Sequence, residues 1–109
     1  NLNLERWASP CPVNLFVDPA SGFGDIVGNV WQHSLTPMDL FPGFETHPLY
    51  EDFTTPTVDG LHAKIHGGSF ISTGAAGATR DSRYAFRCHF YQHAGFRFVS
   101  GGGAPPADE

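Results

Sequence analysis

The chain has 109 residues, a formal net charge of -5 and 40% hydrophobic content, with ten Phe, 13 Gly and nine Pro. A length of this order supports one domain with a modest core, and the aromatic content excludes a disordered chain. The acidic total excludes non-specific nucleic-acid binding, which needs many phosphate-neutralising cations. No apolar run is long enough to span a membrane, and no charged segment precedes an apolar stretch, so neither a membrane anchor nor a signal peptide is predicted. Cys11 and Cys88 form neither a C-x-x-C pair nor a disulfide framework, and a cytoplasmic location is the expectation. The first residue is not Met, which reads as the middle of a longer protein.

Charge is divided along the chain. Residues 1–63 hold Arg6 and eight acids, a net -7, whereas residues 64–109 hold five bases and three acids, a net +2. Clustered arginines of this kind suit carboxylate ligands or ion pairs with the acidic half. No segment sustains a 3.6-residue apolar repeat, so long helices are not expected.

Residues 1–19 offer little regular structure. "SPCPV" sets two prolines around Cys11 and reads as a surface connector, followed by a short strand candidate, "VNLF". "DPASGFGD" is a turn cluster. In "DIVGNVWQHS" the Gly-Asn step predicts a sharp bend whose carbonyls turn inward. Asp25, with Gly28, Val30 and Gln32, then offers a carboxylate, two carbonyls and an amide oxygen, the hard ligands calcium accepts. A solvated Asp and a hydrogen-bonded Gln explain the same residues.

Residues 35–60 carry four prolines, which argue against a central strand or a helix. Phe41, Phe44, Tyr50 and Phe53 call for burial, so the excursion reads as an ordered lid or site wall. Asp59-Gly60 marks a turn. Beyond it, residues 65–99 hold the longest period-two pattern in the chain. Tyr84, Phe86, Cys88 and Phe90 fall on one side, and Arg83, Arg87, His89 and Tyr91 on the other. That pattern predicts a strand with an aromatic core face, Cys88 included, and a basic face turned to a ligand. The histidine pairs at positions 62/66 and 89/93 lack companion ligands and read as hydrogen-bonding groups rather than a metal site. Residues 100–109 are expected to form a flexible tail.

"DIVGNVWQH", "FPGFETHPLY", "DFTTPT", "HGGSFISTG" and "SRYAF…FYQHAGFR" together resemble the C-terminal half of a formylglycine-generating-enzyme-type (sulfatase-modifying factor) domain. The likeness covers residues 1–99. Within the superfamily it is greatest to the iron-dependent 5-histidylcysteine sulfoxide synthases of ovothiol biosynthesis. It implies an α+β, C-type-lectin-like fold, rich in loops, with short antiparallel strands and little helix. It also implies a structural calcium at Asp25, Gly28, Val30 and Gln32. The copper-binding cysteines of true formylglycine-generating enzymes would fall between Phe70 and Arg83, where this sequence has none, so sulfatase activation is not implied.

By the same resemblance, Fe(II) is held by histidines of a separate helical domain, and its ligands do not lie on this chain. The lectin-like part lines the opposite side of the pocket. There Tyr50 is the expected proton donor, with Arg83, Arg87, His89 and His93 as candidates for holding the carboxylates of cysteine and histidine. Implied partners are the iron-binding helical domain, a missing half-domain, or a second copy of the chain. A lectin-like binding or interaction module that keeps the fold without the chemistry is the alternative reading.

Overall fold

The computed structural model describes residues 1–2, 4–72 and 79–100. Its hub is the Gly28-Asn29 step, where both residues have positive φ, 88° and 62°. Glycine adopts that geometry freely, and asparagine tolerates it because its short amide can bond nearby. Asn29 does so twice. Its Oδ1 accepts from the Cys11 backbone N–H at 2.8 Å, and its Nδ2 donates to the Cys11 carbonyl at 3.2 Å. The step also binds backbone to backbone: Gly28 N donates to Gly67 O, Asn29 N to Asn1 O, and Phe70 N to Asn29 O. The expected bend is present, and three distant segments converge on it.

Around this hub the architecture is mixed, mostly strands and loops with single helical turns. The order is α1 (Leu4–Trp7), β1 (Trp31–Pro37), α2 (Glu51–Thr54), β2 (Ala63–His66), β3 (Arg83–Ala85) and β4 (Ala94–Gly95), with 3-10 turns at Pro48–Tyr50 and Thr55–Thr57 flanking α2. The sheet runs β3-β2-β1-β4. β1 pairs antiparallel with β2 and parallel with β4, and β2 pairs antiparallel with β3. The β1–β2 register shifts between His33 and Pro37, where Ser34 Oγ donates to Lys64 O at 3.0 Å in place of a ladder bond. Ile65, at the centre of the sheet, is fully buried, and Cys11, Phe70, Ala85 and Ser69 complete a small core.

Several expectations need correction. The long 83–91 strand is only three residues, because it runs out of partner. Phe86 N still bonds Ala63 O, but Ala63 is where β2 begins. Before it the chain turns through Asp59-Gly60, as expected, with Asp59 Oδ1 accepting from Leu61 N and His62 N. The segment after β3 therefore folds into a turn, Phe90 N donating to Arg87 O. Cys88 lies exposed in that turn, whereas Cys11 is buried, the reverse of the assignment from the pattern. "VNLF" forms no strand; Leu15 N bonds Pro12 O in a turn. Nor do the prolines of 35–60 exclude helical turns. Pro48 is the first residue and Pro56 the second of the two 3-10 turns, within the opening turn where the missing N–H costs nothing. The expected tail lies outside the described residues from 101 onward.

Candidate functional site: an arginine-lined cleft

Two adjoining hollows lie beside β3. The larger, about 510 Å³, is walled by Trp31, Leu40, Phe41, Phe44, Asp39, Asp81 and Arg83. The smaller, about 90 Å³, is lined by Phe53, Thr54, Thr57, Tyr84 and both Arg83 and Arg87. Met38, Thr54 and Arg83 border both, so the two are rooms of one cleft. Its walls come from the segment after β1, from α2 with its following turn, and from β3.

Each arginine is fixed by backbone and by rings. Arg83 Nη2 donates to Asp39 O at 2.9 Å, and its guanidinium stacks 3.7 Å from the Phe41 ring centroid. Arg87 is only 8% exposed. Its Nη1 donates to Phe53 O at 3.0 Å, and its guanidinium lies over the rings of Phe53 (4.7 Å) and Phe90 (4.5 Å). Cation–ring contacts of this kind stabilise a guanidinium where water is scarce. Asp39 also takes the Lys64 ammonium, and that bond holds its carboxyl below the ordinary value. Burial pushes the Tyr84 phenol up, with the nearby Arg87 charge opposing the shift, so Tyr84 remains a neutral donor at physiological pH.

Sequence reasoning missed Gln92, which shapes this corner. Its Oε1 accepts from Arg87 N at 2.8 Å and its Nε2 donates to Ala85 O at 3.1 Å, clamping the chain as it leaves β3. The other residues expected at the site are dispersed. Tyr50, 59% exposed, faces His47 in an edge contact at 6.1 Å and lines none of the hollows described. His89 is exposed in the turn against Phe90. His93 packs between Phe70 (4.7 Å) and Tyr91 (5.0 Å). Of the four substrate-binding candidates, the cleft brings together Arg83 and Arg87.

A third hollow, about 340 Å³, gathers Asp25, Gly28, Val30 and Gln32. Several of its polar atoms have partners. Asp25 Oδ1 accepts from the backbone nitrogen of Asn1 at 2.6 Å, and Oδ2 lies 3.6 Å from Cys11 Sγ. Burial, then the Asp25 charge, pushes the Cys11 thiol up. Arg97 donates through Nε to Gln32 Oε1 (2.5 Å) and through Nη2 to the carbonyls of Gly24 and Asp25 (2.7 and 2.8 Å). A guanidinium thus occupies Gln32 Oε1, one of the four oxygens that the expected calcium ion would use, while the Asn1 nitrogen takes Asp25 Oδ1, and in this arrangement the set does not fit calcium. Among the described residues, no three His, Cys, Asp or Glu come together in a metal-binding group. No helix among them is long and apolar enough to cross a membrane.

No family model matches the chain. Local similarity does reach two curated proteins. Hercynine oxygenase from Mycolicibacterium smegmatis is 34% identical over an alignment of 67 residues that covers 56% of this chain and 15% of that protein. Ergothioneine biosynthesis protein 1 from Schizosaccharomyces pombe is 39% identical over 75 residues, 68% of this chain and 9% of that protein. The chain spans less than a fifth of the length of either relative, and over its matched part it is similar to both.

Proposed function

We infer that this chain is the substrate-binding part of a non-haem-iron sulfoxide synthase, the kind of enzyme that joins a cysteine sulfur to a histidine-type imidazole with O2. The observation that carries the reading is local similarity to hercynine oxygenase and an ergothioneine biosynthesis protein over more than half of the chain. It agrees with a cleft that combines two fixed guanidinium groups with aromatic walls. The loop-rich sheet with single helical turns is consistent with residues 1–99 being the C-terminal part of a formylglycine-generating-enzyme-type, C-type-lectin-like domain. Iron would supply the oxygen chemistry, and its ligands would lie on an iron-binding helical domain outside this chain. Large apolar side chains left exposed, Leu35, Leu61, Tyr91 and Phe98 among them, supply the surface against which that domain, a complementary half-domain or a second copy would pack.

Within this reading, Arg83 and Arg87 hold carboxylates of the cysteine and histidine substrates, while His89 and His93, as further carboxylate contacts, and Tyr50, as a phenol proton donor, would have to be brought to the cleft from outside it in the complete protein. Calcium at Asp25, Gly28, Val30 and Gln32 belongs to it only with Arg97 drawn away from Gln32. One relative is named for hercynine and the other for ergothioneine biosynthesis, so both hercynine and histidine are substrates to assay, the latter for the ovothiol branch. In the iron-loaded protein reassembled with the helical domain, Tyr50→Phe is expected to alter the partition between sulfoxide product and simple thiol oxidation. An unchanged partition would overturn the role of Tyr50. Failure of every histidine-type substrate to couple would overturn the enzyme reading. The exposure of Tyr50 outside the hollows favours the second reading, a non-catalytic lectin-like binding module, and in that case no coupling appears with any substrate.

A further inference from the structure

We propose that the 90 Å³ hollow between α2 and β3 is a carboxylate seat, with Arg87 as its buried anchor and Arg83 as its gate. Arg87 is more than nine-tenths buried, and its Nε–H has no hydrogen-bond partner among the described residues. None of the ion pairs found among them involves Arg87. A buried cation without a counter-charge, carrying an unused donor, is costly unless something supplies both. The residues lining the hollow include two arginines and no acid, in a chain whose total charge is -5. Asp39 and Asp81 border only the larger room. Asp39 is engaged there by Lys64 and Arg83, and Asp81 by Arg80.

A carboxylate matches this seat in charge, planarity and size. Its two oxygens suit the parallel donors of a guanidinium, and the hollow has room for about three water-sized groups. The shared border at Met38, Thr54 and Arg83 leads into the 510 Å³ room. The body of the same molecule would lie there against Trp31, Phe41 and Phe44. The ligand class is therefore a small carboxylic acid with a flat or apolar body, seated head-first. The inference rests on the enzyme reading only for the claim that this carboxylate belongs to a substrate. Binding to the chain alone tests the seat, so seat and enzyme reading can fail separately.

The test is a titration of the nitrogen-15-labelled chain with sodium acetate, at constant ionic strength balanced by sodium chloride. The arginine Nε–Hε resonances are followed throughout. A saturable shift at Arg87 with an affinity on the order of millimolar is expected, as befits a fragment of the full ligand. The exposed Arg80 serves as the internal blank. Arg83→Lys, which keeps the charge and loses the fork, should weaken the Arg87 response by about tenfold. A linear Arg87 shift no larger than that of Arg80 would mean water alone fills the hollow, and the proposal fails. Saturation by phosphate at lower concentration than acetate would overturn the carboxylate assignment.

Discussion

Asp59 Oδ1 accepts from the backbone N–H groups of Leu61 and His62 and lies 2.9 Å from the His62 ring Nδ1. Those bonds, the His62 contact first, pull its carboxyl from 3.8 down to about 2. A carboxyl with a depressed folded-state value adds stability above its unfolded value and loses it as pH falls through the folded one. Thermal stability should therefore decline between roughly pH 4 and pH 2 in part because Asp59 becomes protonated. Asp59→Asn keeps an acceptor oxygen and removes the titration, so its melting temperature should fall less steeply across that window. An identical acid limb in the variant would refute the assignment. The group is exposed, so salt should shrink the effect. The turn at Asp59 was readable from the Asp-Gly pair alone. The His62 contact was not, because the sequence marks His62 as a hydrogen-bonding group without naming its partner.

At the level of elements, the misjudged strand is the instructive case. Alternation of arginine and aromatic residues from 83 to 91 is the pattern of a half-buried strand, yet β3 ends at Ala85. Period two records which side chains prefer cover; it does not record where the neighbouring strand stops. Here Arg87 takes its cover from phenyl rings and a carbonyl instead of from solvent. The turn is then held by a Gln92 amide contributed five residues later. Gln92→Ala should lower stability by about 1–2 kcal/mol, since it strands the Arg87 N–H and the carbonyl of the buried Ala85. Urea denaturation would show this as a lower midpoint with an unchanged slope. Gln92→Glu keeps the acceptor and loses the donor, and should fall between. Equal stability of all three proteins would remove Gln92 from the account. The Gly-Asn bend, by contrast, was legible, because positive φ selects residue type directly. Cys11 was misplaced because flanking prolines say nothing about an asparagine eighteen residues away that draws its backbone inward.

Across the whole molecule, Arg97 ties the last described segment to the loop before β1, bonding Gly24, Asp25 and Gln32. The tie explains why an arginine belongs at that position. Calcium and this guanidinium compete for Gln32 Oε1. In the unmodified chain, calcium should leave the melting temperature within about 1 °C, a shift that corresponds to a small fraction of a kcal/mol for a domain of this size. In Arg97→Ala the cation should raise it, by mass action on the set completed by the freed Gln32 oxygen. A calcium response of equal size in both would place the ion elsewhere.

The parallel pairing of β4 with β1 has a consequence for biosynthesis. Trp31 and Gln32 emerge from the ribosome more than sixty residues ahead of Ala94 and Gly95, and until then one border of the sheet has nothing beside it. Non-local pairings form late, and an uncovered strand border in a nascent chain invites mispairing. Translation pauses or chaperone engagement in the interval between Pro37 and Ala94 would therefore influence yield more than the same events earlier in the message.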